Sequence, residues 1–516
     1  MRTSYLPYVG LLAATAAQAV NLTWPVQTYK SSPARPPVLN VTKTGETTPG
    51  YLFFDQNGEL SPTYSVFIMS EDGELVWQGV EGDLDAYQPQ LWHGKPVLTF
   101  QNGVSLPEPF GWGYGIIQVF DQTYNNTYNV SITAKEENLV PYGLADPKEI
   151  VSYIDMHESK ISNKGNMFVT VINTTQADLS SVGGPKDGWI GDSLFYEMDI
   201  KTNKIVHSWK SSDHLDQIPF EDVVPFYPVA DLGRNSSYPW GYFHINSVDQ
   251  FKDGSYLVSS RFYCSIFKIA KNGSVEWTLQ GRDGGNFTLG SGLSFCYQHD
   301  ARILEETNDG AVISIFNNDN SAEHHGVNQT TGIIMDVNTK TFKATLKKQF
   351  KDPRDPLYSV SQGDLQQIYS NRSDSHYFMG YGSAPIMKEY LPNGTCIMTV
   401  QFGPHKNNEI FSYRAFKAPW VGKPTAPPDV FACKNNATSE VDVYMSWNGA
   451  TEHKTWTVYA GSRNETSALH QVATIGKEGF ETKTSVPLNS KFVKVEASGK
   501  NIETGKSALV PVHHSC

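Results

Sequence analysis

A chain of 516 residues exceeds one ordinary domain, and 12 % aromatics with 42 glycines and 29 prolines suit many short strands joined by turns. The net charge of −12 excludes general nucleic-acid binding and attraction to an anionic membrane. A small anionic substrate stays compatible with that sign, because a local cluster of Arg and His can oppose it.

In chain order, residues 1–19 read as a signal peptide: Arg2, the small and apolar stretch LLAATAAQA (11–19), and the cleavage-like Ala17-Gln18-Ala19. No stretch is long enough to span a membrane. A leader (20–49) precedes six recurring units of strand, turn and further strands. They lie at 51–79, 93–130, 163–210, 253–281, 308–350 and 373–403, and the clearest is DGSYLVSSRFYCSIFKIAKNGSVEWTLQG (253–281). Units that cannot each bury both faces stack on their neighbours, so residues 50–416 are predicted to form a six-bladed β-propeller. A Pro-rich linker (417–430) then leads to alternating strands around Trp447, Trp456 and Tyr459, and 431–516 is predicted as a fibronectin III-like β-sandwich. The predicted class is all-β.

Thirteen Asn-x-Ser/Thr sequons accompany the signal peptide, at Asn21, Asn40, Asn125, Asn129, Asn173, Asn235, Asn272, Asn286, Asn328, Asn371, Asn393, Asn436 and Asn464. Their density implies a secreted, extracellular glycoprotein, in which disulfides form. With five cysteines at least one stays unpaired within the chain. Cys433 and Cys516 could tie the two ends of the last domain. Cys264 could pair with Cys296 or with Cys396, and the first pairing is preferred because Cys264 and Cys296 each lie three residues from a candidate site residue.

Those candidates come from the repeat. His157, His244 and His299 each precede a turn glycine (Gly165, Gly254, Gly310) by eight to eleven residues. Side chains at one position of a repeated unit converge at one mouth of a propeller channel. Single histidines in propellers commonly hold a blade together; three at one module position favour a site. Asn246 is expected on the same side as His244, and Arg261 can return from the next strand with a fork of donors for a sulfate- or phosphate-like group. No metal-binding, phosphate-loop or dinucleotide motif occurs in a fitting context, so neither a metal nor a cofactor is expected.

At FHINSVDQFKDGSYLVSSR, GSGLSFCYQHDARIL and YLPNGTCIMTVQFG the sequence resembles the arylsulfotransferase family, in its fungal secreted branch, from about Gly50 to Pro428. The resemblance implies a six-bladed propeller that moves a sulfuryl group from a phenolic sulfate donor to a phenol acceptor without a nucleotide donor. The path runs through a sulfohistidine. It further implies His299 as nucleophile, Arg261 as the catalytic cation, and His157, His244 and Asn246 as substrate-binding residues. Ser383 and Lys388 are loose matches to a later binding pair. The alternative is a non-catalytic extracellular propeller that binds a glycan or a protein.

Overall fold

Strands such as Tyr51–Gln56 and Ser65–Ser70 are buried along nearly their whole length rather than on alternate residues. Such strands must be covered on both faces, which explains why their sequences (YLFFDQ, SVFIMS) are continuous rather than alternating apolar runs. The computed structural model describes residues 24–516 except 107–110, 144, 147, 149, 225–228, 230–231, 322–323, 326–328 and 370–373. The signal segment and the sequons at Asn21, Asn328 and Asn371 lie outside the described residues.

The architecture is all-β; the α-helix Ala134–Glu137 is a single turn. Before Ala418 the described residues form six larger antiparallel meanders in chain order. The second is Leu84–Trp92, Lys95–Ser105, Gly113–Phe120 and Asn126–Val130, and the fourth is Ile245–Gln250, Tyr256–Ser260, Ser265–Ile269 and Val275–Gln280. Two sheets borrow a strand from far along the chain. Ala415–Ala418 pairs with Tyr51–Gln56 to complete the first sheet, and Asn40–Lys43 pairs with Cys396–Gln401 at the edge of the sixth. The expected leader is thus partly a strand.

Packing is cyclic. Phe53 and Ile68 of the first sheet meet Tyr87 and Phe100 of the second. Val119 then shares a core with Val169 of the third, Phe195 with Val258 of the fourth, and Leu257 with Ile313 of the fifth. Phe316 packs on Met379 of the sixth, and Phe378 and Met387 close onto Leu52 and Phe67 of the first. Each sheet therefore buries one face on its predecessor and the other on its successor. The repeated turn glycines sit at positive φ where a neighbour leaves no room for a Cβ. Gly254 sits at φ +86° with the Lys271 side chain where a Cβ would go, and a Cβ on Gly310 would lie 1.9 Å from the Val337 carbonyl oxygen.

Residues 429–511 form two antiparallel sheets around one core that includes Val443, Trp456 and Val495. The segment expected as a linker does not begin as one. Lys417 is buried between Glu71 (2.6 Å) and Glu389 (2.7 Å), because the strand that carries it is the fourth of the first sheet. The last domain also rests on the first two sheets. Asn448 accepts from the Gln78 N–H at 3.0 Å and returns its amide to the Gln78 carbonyl at 2.9 Å, while Tyr124 Oη donates to the Gly449 carbonyl at 2.8 Å.

The structure pairs Cys264 with Cys296 and Cys433 with Cys516, leaving Cys396 as a buried thiol. Of the described sequon asparagines, Asn40, Asn125, Asn129, Asn235, Asn272, Asn286, Asn393, Asn436 and Asn464 are exposed. Asn173 is half-buried, with its side-chain oxygen accepting the Val140 N–H at 2.8 Å. Among the described residues no helix is long and apolar enough to cross a membrane.

Candidate active site

The ends of the first strands of the third to sixth sheets, and the loops that feed them, meet at one cavity of about 810 Å³. His157, His244, Arg261 and His299 all line it, together with Tyr413 and the segment Val360–Gln362. The three histidines reach it from different backbone settings. His157 sits in a turn ahead of Asn166–Ala177, His244 immediately before Ile245–Gln250, and His299 on the first residue of His299–Thr307. His244 is in the left-handed region at φ +59°, as are Cys264, Tyr297, Asp300 and Gln362 nearby. Non-glycine residues held there cost about 1–3 kcal/mol each and persist where the surroundings over-determine them.

Asn318 fixes the tautomer of His299. Its amide Nδ2 donates to the carbonyls of Ser359 (3.0 Å) and Gln362 (3.1 Å), so its Oδ1 must face His299 Nδ1, at 2.8 Å. Nδ1 then carries the proton, and the lone pair lies on Nε2, where it accepts the Gln362 N–H at 3.1 Å. Burial, and then the Arg261 charge, hold the His299 imidazole well below the usual histidine range, so it is neutral at neutral pH. His244 is depressed in the same direction by burial, then by His157, Arg261 and His299.

His157 and His244 are joined directly, Nε2 to Nε2, at 3.1 Å. Behind them, His157 Nδ1 lies 2.5 Å from Asp155 Oδ2, and that carboxylate also accepts from the Gly113 N–H (3.0 Å) and Thr170 Oγ1 (3.1 Å). His244 stacks on Trp112 with ring centroids 5.5 Å apart, and among the described residues its Nδ1 is buried without a hydrogen-bond partner.

Below the histidines lies a buried ionic platform. Glu158 accepts from Arg302 Nη1 (2.7 Å), Arg414 Nη1 (3.3 Å) and the Val248 and Ser159 N–H groups (3.0 Å each). Burial alone would raise its pKa, but the two guanidiniums outweigh it and the carboxyl is held at about 2. Arg414 donates onward to the carbonyls of His157 (3.0 Å) and Asn246 (2.8 Å), so it ties the loop of one histidine to the strand of another. Glu59, Asp83 and Asp85 also line the cavity.

One expected binder is not at the cavity wall. Asn246 falls at a bulge, where Ile245 pairs with Ser260 but Ser247 with Ser259, and its side chain turns to donate to the Gln298 carbonyl at 2.6 Å. Lys388 is buried in ion pairs with Asp352 (3.2 Å) and Asp355 (2.9 Å), away from the cavity. Ser383 stands behind the wall, accepting the Val360 N–H at 3.1 Å. Asp155, Asn318, Gln362 and Arg414 were not singled out from sequence. Of these only Asp155 left a legible trace, the Asp-x-His spacing in DMH.

The four converging residues lie within 88–403, and that stretch matches the family model described as arylsulfotransferase (ASST). The chain belongs to the arylsulfotransferase family. The matched stretch omits Arg414 and the strand that completes the first sheet. No curated protein sequence matches this chain. Among solved structures, similarity extends to a protein of unknown function from Bacteroides caccae, at 11 % identity over 72 % of this chain and 99 % of that one, TM-score 0.38. TolB from Acinetobacter baumannii is similar at 11 % identity, 71 % and 67 % coverage and TM-score 0.33, and streptogramin B lyase at 10 %, 72 % and 89 %, with TM-score 0.28.

Proposed function

We propose that this arylsulfotransferase-family protein is a secreted enzyme that moves a sulfuryl group from a phenolic sulfate ester to a phenol, with His299 as the covalent carrier. The observation that carries the proposal is the shared cavity of His299, Arg261, His157 and His244, with the His299 tautomer fixed so that Nε2 holds the lone pair. Nε2 attacks sulfur, the bond from sulfur to the aryl oxygen breaks, and its electron pair leaves on the phenolate, which takes a proton from the histidine pair. The acceptor phenol then returns that proton to the pair as its oxygen attacks the sulfohistidine. Arg261 and the Gln362 N–H offer donors to the sulfuryl oxygens, and in a water-poor cavity such donors stabilise developing charge.

We further read the six cyclically packed sheets as the blades of a six-bladed propeller over 50–416, with 431–516 as a fibronectin III-like sandwich. Secretion rests on the signal-like segment, the exposed sequons and the two disulfides. One observation favours the rival reading of a non-catalytic binding propeller: His299 Nε2 already accepts a backbone N–H, and that bond must open before attack.

The deciding experiment is incubation of the folded protein with 4-nitrophenyl sulfate, with and without a phenol acceptor. Acceptor-dependent nitrophenol release and a sulfuryl adduct on the His299 peptide after rapid quench are expected. A folded protein that releases no nitrophenol under either condition overturns the proposal in favour of the binding module.

A further inference from the structure

An aryl sulfate ester leaves as a phenolate, and the more basic that phenolate, the more its departure depends on a proton delivered in the transition state. The cavity holds two histidines that share a proton, and only one of them is backed by a carboxylate. We propose that Asp155 is the positioning residue that turns the His157–His244 pair into the general acid for the departing phenolate and the general base for the incoming phenol. This inference rests on the sulfuryl-transfer reading above and assigns how its proton is handled.

The geometry argues for it from three sides. First, Asp155 is fully buried and its orientation is set independently of His157, by the Gly113 N–H on Oδ1 and the Thr170 hydroxyl on Oδ2. An ionised carboxylate is acceptor-only, so it fixes a proton on His157 Nδ1 and points Nε2 at the cavity. Second, Nε2 of His157 faces Nε2 of His244 at 3.1 Å, and two nitrogens can hold that contact only with a proton between them. Third, among the described residues His244 has no carboxylate of its own. Its Nδ1 is buried without a partner among them, and burial, then the neighbouring His157 and Arg261, disfavour a resident charge. When the pair takes up a proton, the Asp155 carboxylate therefore favours holding it on His157, with His244 Nε2 as the acceptor.

The proton balance follows. In the first half-reaction, which starts from the protonated pair, the ester oxygen replaces His244 Nε2 as the acceptor of the His157 Nε2 proton. As the bond from sulfur to that oxygen breaks, the proton moves to the oxygen and the phenol leaves neutral. In the second half-reaction the acceptor phenol gives its proton to the vacated His157 Nε2 while its oxygen takes sulfur from His299. The pair ends as it began, and Asp155 gains and loses nothing.

The test compares wild type and Asp155→Asn on a series of substituted phenyl sulfates, from phenyl to 4-nitrophenyl sulfate, with one acceptor and the release step followed directly. Asparagine keeps the size and one acceptor oxygen but does not enforce the Nδ1 proton. The expected result is a loss of about 10²-fold with phenyl sulfate that shrinks several-fold or more with 4-nitrophenyl sulfate, so the rate depends more steeply on the leaving phenol. A loss equal across the series, or no loss, overturns the assignment of Asp155 while leaving sulfuryl transfer standing. If Asp155→Asn does not fold, His157→Gln reads the same relay and is expected to show the same steepening; an unchanged slope there overturns the inference. Absence of turnover by wild type with every ester overturns the inference together with the reading beneath it.

Discussion

Replacing Glu158 by glutamine is expected to destabilise the protein severely, because it removes the carboxylate to which both Arg302 and Arg414 hydrogen-bond. Arg414 is completely buried, and without Glu158 it keeps two backbone carbonyls and a 3.6 Å approach to Asp300. Breaking a buried ion pair from one side costs about 3–5 kcal/mol, since the remaining charge stays in a poorly solvating interior. An independent route gives a similar size. A carboxyl held at about 2 instead of the ordinary 4.5 prefers its ionised form by about 3 kcal/mol in the folded state. The sign follows from the depressed pKa: this stability is present above pH 4.5 and is lost as pH falls toward 2. Urea denaturation of wild type and Glu158→Gln at pH 7 and at pH 3.5 checks both statements. Wild type should lose stability on acidification, and the variant should start about 3 kcal/mol lower and lose less. A difference below about 1 kcal/mol at pH 7, with the same acid dependence in both proteins, would refute the platform as a stabilising unit.

Other outcomes follow from the same geometry. His299→Ala should abolish acceptor-dependent nitrophenol release while leaving the denaturation midpoint within about 2 kcal/mol of wild type, as expected for a polar side chain on a cavity wall. Arg261→Lys should lower kcat by about 10²-fold, because a point charge does not reproduce the guanidinium fork; steady-state rates with 4-nitrophenyl sulfate measure it. Since burial and Arg261 keep His299 neutral well below the ordinary 6.5, the His299 nucleophile should not titrate between pH 7.5 and 6, and a single-turnover sulfation rate that halves near pH 6.5 would contradict this. Cys264→Ser should cost about 2–4 kcal/mol in urea denaturation and depress turnover as well, because the Cys264–Cys296 bridge joins the turn that carries Arg261 to the loop that leads into His299.

Much of the fold was legible because its signals are local. Apolar runs such as YLFFDQ announce strands buried on both faces, and the turn glycines space them. The closing strand Ala415–Ala418 was less legible. Its partner Tyr51–Gln56 lies more than 350 residues away, and only that pairing makes Lys417 a buried cation instead of the start of a linker. At the cavity, the module position of the histidines predicted their convergence. Asn246 was misplaced because an alternation argument assumes a regular strand, and the bulge after Ile245 reverses the face.

By itself the sequence determined which elements form and which imidazoles share a module position, since both depend on spacing along the chain. Tertiary structure alone decided the polar contacts: that Asn318 holds His299 by Nδ1, that Asp155 backs His157 while among the described residues no carboxylate backs His244, and that Arg414 ties the His157 and Asn246 carbonyls together. Tautomer and charge are set by whichever polar group lies within about 3 Å in space. Asp155 is a near neighbour of His157 along the chain, but Arg414 reaches the His157 and Asn246 carbonyls from beside the strand that completes the first sheet.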